Sequence, residues 1–163
     1  MKIVPLSSGF MSYLELKKMI EALEFDEHTE EFITTIGLGN LYDTVMDALV
    51  LCQKEYGFDG AFFVYEDLPY PVALFGALPI IYGNVEIFSV VSTQSTPYKF
   101  TKIMRGFLNM LTSKSQIKRI QSLVVADNEK ACKLHEHFGF EREGLLRKYD
   151  GSNDYYMYAL VKK

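Results

Sequence analysis

The stretch NVEIFSVVSTQSTPYKFTKIMRGFLNML, Asn84 to Leu111, gathers the residue types from which a phosphate cradle is built. A run that reads as a buried strand passes through Ser92, Thr93, Gln94, Ser95 and Thr96 into an amphipathic stretch opened by Pro97. The start of a helix carries partial positive charge and unpaired N–H groups, so such a junction attracts anions. Lys99 and Lys102 add charge to it. Two readings stay open: the hydroxyls and lysines hold an anion, or they form an N-cap and a polar surface loop. The loop contains no glycine, so the close backbone approach of a glycine-rich cradle is missing.

His135 is the second candidate, since an imidazole with an unperturbed pKa near 6.5 suits proton transfer at neutral pH. His135 and His137 also fit a plainer role, stabilising the negative end of a helix that stops at Gly139. A metal site is not expected. His28, His135, His137, Cys52 and Cys132 show no ligand spacing beyond one H-x-H on a helix, where i and i+2 point apart. Both cysteines fall inside expected helices and read as buried apolar residues.

These residues need elements to position them. Lys2–Leu6 reads as a first strand, and Ser12-x-x-Glu15 as a capping box opening a helix that ends near Phe25. Asn40 is the expected cap of a second helix, with Leu41, Val45, Leu49, Cys52 and Tyr56 at helical spacing and Gly57 closing it. The period then changes. Ala61–Tyr65, Val72–Leu78 and Val85–Val91 are β-branched and aromatic runs separated by Asp67-Leu68-Pro69 and Tyr82-Gly83-Asn84, the punctuation of an antiparallel meander. Pro97 starts a third helix with Ile103, Phe107, Met110 and Leu111 as its buried stripe. Ile120–Val125 is a buried-type strand, and Asp127 or Asn128 caps a fourth helix reaching Phe138. Phe140–Arg147 and Tyr155–Val161 close the chain as two strands about the turn Asp150-Gly151-Ser152-Asn153. The order β-α-α-β-β-β-α-β-α-β-β predicts one α/β (α+β) domain over residues 1–163. Its sheet is mostly antiparallel, flanked by four helices, and only the strands near Val91 and Ile120 run parallel.

That order, with the segment VVADNEKACKLHEHFGFEREGLLRKYDGSNDYYMYAL, resembles the GNAT superfamily of N-acetyltransferases. The residues that carry it are Asn128, Ala131, Leu134, Gly139-Phe140, Glu143-Gly144, Asp154, Met157 and Leu160. The resemblance implies acetyl-CoA bound where two parallel strands splay, here against Val90 and Val91. It implies a diphosphate loop in the register Gln94, Ser95, Thr96, Pro97, Tyr98, Lys99. The glutamine fits, but Pro97 and Lys99 stand where the family has small residues, so the loop is degenerate. Pro97 has no N–H to donate, and Lys99 crowds backbone approach. Asn128 matches the asparagine of the pantetheine arm and also fits an N-cap. The resemblance implies a base on the fourth strand, which Glu86 could be unless it is a strand glutamate facing solvent. It also implies an acid, often a tyrosine on the fourth helix, where this chain offers His135 by its chemistry, for an acyl transfer to an amine-bearing small molecule or protein. The alternative is a GNAT-like protein without catalysis that binds a protein partner. Small chains with degenerate loops of this kind occur in tailed phages, so a phage origin is one expectation.

Composition bounds the rest. At 163 residues and 48% hydrophobic, the chain has material for one sizeable core. Its longest apolar run, Val72–Ile81, is broken by Gly76 and Pro79 and falls short of the ~20 residues of a membrane span. The N-terminus lacks the apolar stretch of a secretory signal, which points to a cytoplasmic protein without a membrane partner. Residues 1–98 hold 4 basic and 14 acidic residues, net −10, and residues 99–163 hold 13 and 7, net +6. A polarised chain suits an anion on the C-terminal half and a cationic group on the N-terminal half. Nucleic acid is not expected: only Lys114, Lys118 and Arg119 favour it, against a pI near 5.4.

Overall fold

A computed structural model describes residues 2–6, 17, 20–22, 24, 25, 27, 29, 30, 37–66 and 71–163. Seven strands, β1 (Lys2–Pro5), β2 (Ala61–Tyr65), β3 (Ala73–Ile81), β4 (Asn84–Val91), β5 (Arg119–Val125), β6 (Glu141–Leu146) and β7 (Tyr155–Val161), form one sheet in the order β1-β2-β3-β4-β5-β7-β6. Three helices are seen among the described residues: α1 (Leu38–Tyr56), α2 (Pro97–Ser113) and α3 (Glu129–His137). The helix expected from Ser12 to Phe25 lies mostly outside the described residues, of which Lys17, Ile20 and Glu21 are helical. Every described strand pair is antiparallel except β4–β5, which α2 connects.

Alternation along the strands decides which helix covers which face. Ala61, Phe63, Leu74 and Val90 point to one side and pack with Leu41, Val45 and Leu49 of α1. Phe62, Val64, Phe75, Val85 and Ile87 point to the other, under Ile103, Met104, Phe107, Leu108 and Leu111 of α2. Ile120, Val124 and Tyr158 continue that second layer towards Cys132 of α3. Phe107 meets Phe62 edge-on with centroids 5.0 Å apart, an arrangement that adds to burial energy. Both cysteines are buried; Cys52 Sγ donates to the Ala77 carbonyl at 3.0 Å, and burial pushes its thiol up to about 12.

Two boundaries differ from the sequence expectation. Asn40 does not cap α1, which begins at Leu38 after Gly37, a glycine at φ 76 whose carbonyl accepts from the Leu41 amide. A left-handed residue redirects the chain there as an N-cap side chain does elsewhere, and Asn40 falls within the first turn. Strand β3 runs through Pro79 to Ile81. Its pairing with β2 ends at Gly76, so Pro79 meets no ladder on that side, and the β4 register shifts between Pro79 and Ile81.

Candidate functional site

Strands β4 and β5 pair over three positions only: Asn84 with Arg119, Val85 with Ile120 and Glu86 with Gln121. Beyond Glu86 the strands part, and β4 continues to Val91 paired on its β3 side alone. The sheet therefore forks, with Val90 and Val91 along one arm and Ser122 to Val125 along the other. The Val90 side chain packs towards α1 and the Val91 side chain towards α2, leaving main-chain edges turned to the fork.

Glu86 stands at the base of the fork. Gln121 Nε2 donates to Glu86 Oε2 at 2.8 Å, while Gln121 Oε1 accepts from Asn84 Nδ2 at 2.9 Å and from Arg119 Nε at 3.2 Å. Arg119 in turn grips Glu143 on β6 with both Nη atoms, at 2.8 and 2.6 Å. That guanidinium, chiefly by hydrogen bonding, holds the Glu143 carboxyl below its ordinary value. The chain of donors fixes the Gln121 amide one way round, with its N–H₂ aimed at the carboxylate. Glu86 Oε1 takes no hydrogen bond among the described residues, and the buried Asn84 Oδ1 beside it has no donor there.

His135 approaches the fork from the opposite face, because Gln121 and Ser122 are consecutive in β5 and their side chains diverge. Its Nδ1 lies 2.8 Å from the Ala131 carbonyl and its Nε2 3.0 Å from Ser122 Oγ. A carbonyl only accepts, so Nδ1 carries the proton and Nε2 accepts from the Ser122 hydroxyl. The ring packs against Phe140 and Tyr158, and burial lowers its pKa below 6.5, a pull the Ala131 contact partly offsets. Both nitrogens of His135 are therefore engaged, and its burial favours the neutral ring. His137, two residues on, lies on another side of the helix, beside Phe138. Gly139, at φ 86, ends the turn and lets Phe140 fold back under His135. Asn128 caps α3, its Oδ1 accepting from the Ala131 amide at 3.0 Å.

The loop between β4 and α2 brings Ser95 and Lys99 together around a residue that sequence reasoning missed. Ser95 Oγ donates to Glu66 Oε1 at 3.1 Å, and Lys99 Nζ reaches Glu66 Oε2 at 2.9 Å. Three of the loop's backbone amides are also committed: Thr93 to the Glu24 carbonyl, Gln94 to Ser92 Oγ and Ser95 to the Ser92 carbonyl. Thr96 is the N-cap residue and makes no side-chain cap bond. Proline at the first helical position contributes no donor. The fork leaves room for an extended arm between two strand edges, and the loop's Ser95 and Lys99 side chains are already engaged by Glu66. Glu66 carries no spacing signal linking it to Ser95 or Lys99. Gln121 and Ser122 had only their alternation in a buried strand to mark them.

No family model matches the chain, and no curated protein matches it in sequence. Solved structures do match. A microcin self-immunity acetyltransferase, MccE, in complex with acetyl-CoA and AMP, superposes with a TM-score of 0.68 at 17% identity, over 99% of this chain and 93% of that one. A ribosomal-protein-alanine N-acetyltransferase from Brucella melitensis gives 0.67 at 12% identity, over 99% and 100%. The dodecameric spermidine N-acetyltransferase from Vibrio cholerae gives 0.63 at 16%, over 98% and 92%. With its forked β4–β5 pair and its Gly-Phe turn after α3, the chain has the fold of the GNAT acetyltransferases.

Proposed function

We propose that the chain is an acyl-CoA-dependent N-acyltransferase acting on an amine. The observation that carries this reading is the fork itself, two parallel strands that part after three pairs with a carboxylate at their base. Acetyl-CoA lying along the fork would supply the acyl group. Glu86 would take one proton from the incoming ammonium at Oε1, while Gln121 keeps Oε2 fixed. The amine would then bond the acyl carbon as the thioester C–S bond breaks, and its second proton would leave on the coenzyme A thiol. The net charge of −10 over residues 1–98 also favours a cationic substrate. On the opposite side, His135 positions the Ser122 hydroxyl at the fork.

The test is thiol release from acetyl-CoA in the presence of a polyamine and of peptides with free α-amines, repeated with Glu86→Gln. Turnover by the parent that the variant loses supports the reading, and no turnover with any amine overturns it. A second reading, a GNAT-fold protein that binds a protein partner and does not catalyse, is favoured by the filled loop around Glu66. Acetyl-CoA at 100 times its dissociation constant adds about 2.7 kcal/mol to stability, so an unmoved melting temperature supports this second reading.

A further inference from the structure

We infer that Glu66 is a built-in anion that closes the β4–α2 loop to phosphate-bearing ligands until it is displaced, an inference resting on the acyltransferase reading of that loop. Its side chain is only 6% exposed, and a carboxylate that deep in a fold requires donors. It has found them in Ser95 and Lys99, 29 and 33 residues along the chain, one a hydroxyl and the other a full positive charge. These are the donor types that a phosphate oxygen would recruit at a helix start.

The placement is enforced by the sheet. Val72 ties two strand ends together, its amide donating to the Val64 carbonyl at 2.7 Å and its carbonyl accepting from the Ser92 amide at 2.8 Å. Glu66 follows Val64 by two residues at that same end of the sheet, which brings its carboxylate to the loop. The Lys99 side chain, 36% exposed, lies between Glu66 and solvent, and an arriving anion meets a lysine whose charge is already answered. Pro97 and Lys99 are therefore only part of the reason the loop refuses a diphosphate. The larger part is a negative charge already seated there, which repels a second one.

Removing that charge while keeping the shape isolates the effect. In Glu66→Gln the amide oxygen still accepts from Ser95, Lys99 loses its counter-charge, and affinity for anions rises by about tenfold or more. Calorimetric titration of coenzyme A and of inorganic pyrophosphate into the parent and Glu66→Gln, each with its fold checked by circular dichroism, measures this. Tighter binding of both ligands by the variant is the expected result. Equal coenzyme A affinity in parent and variant overturns the inference and leaves the acyltransferase reading intact. Absence of coenzyme A binding in both overturns the two together. Should Glu66→Gln not fold, the unmodified chain decides through its Glu66 side-chain carboxyl ¹³C resonance. A shift on saturation with pyrophosphate or coenzyme A supports displacement, and an unmoved resonance overturns it.

Discussion

Gln121 donates from Nε2 to the Glu86 carboxylate at 2.8 Å across the last rung of the parallel β4–β5 pair, so the candidate base is oriented by the strand it is about to leave. Arg119 and Asn84 hold the other end of the same amide. Glu86→Gln is expected to lower turnover by about 10²–10⁴-fold with the melting temperature little changed. Gln121→Leu is expected to lower it by up to about 10²-fold, through misplacement of a base that is still present. Steady-state kinetics with a saturating amine separate the two, because Gln121→Leu retains a measurable rate.

His135 makes stability depend on pH. Burial depresses its folded-state pKa below the ordinary 6.5, so the unfolded chain binds the proton more readily. Its stabilising contribution is complete above pH 6.5 and is lost as pH falls through the depressed folded-state value. Melting curves from pH 8 to pH 5 should show this fall, and His135→Phe should flatten it. The same variant leaves the Ser122 hydroxyl without its acceptor, at a cost of about 1–3 kcal/mol.

Gly76 lies under the ring of Phe88, which a Cβ at that position would overlap. Gly76→Ala is expected to destabilise the domain by about 1–3 kcal/mol. For a chain of this size each kcal/mol lowers the melting temperature by about 2–4 °C, within reach of differential scanning calorimetry. The double variant Gly76→Ala, Phe88→Leu should recover part of that loss.

Asp150 organises the β6–β7 turn by accepting from the Ser152 and Asn153 amides at 2.8 and 2.7 Å and from the Tyr155 hydroxyl at 3.1 Å. Those bonds, the Asn153 amide first, hold its carboxyl down at about 2. The turn's contribution is complete above the ordinary 3.8 and fades as pH falls through about 2. Carboxyl NMR titration of the parent should place the midpoint near that value, and Asp150→Ala should remove the turn's share of the acid slope.

Much of the architecture was legible because the signals are local. Ala61–Tyr65 and Tyr155–Val161 begin and end where β-branched and aromatic runs meet turn residues, and Asn128 and Pro97 mark helix starts through chemistry confined to one turn. Asn40 misled because asparagine is a good N-cap, while the redirection of the chain belongs to the backbone angle of Gly37. The site was only half legible. Glu86 and His135 could be named by their chemistry, but the Gln121 and Ser122 contacts that define their surroundings depend on strand register and on which face α3 covers. Glu66 was beyond reach, since no periodicity links the end of one strand to a loop serine 29 residues later.

The three-residue seam between β4 and β5 also divides the chain by charge and by folding order. Strands β2, β3 and β4 are neighbours in sequence and in space, as are β6 and β7, so each half of the sheet assembles through short loops. Joining them requires α2 to bring Arg119–Gln121 back to Asn84–Glu86, a closure that only three rungs reward. Because the half before residue 99 carries net −10 and the remainder net +6, the two pieces attract as they approach. Added salt screens that attraction, so the refolding rate should fall with ionic strength before native stability does, and the seam's paired amides should exchange with solvent before those of the longer β3–β4 and β5–β7 ladders.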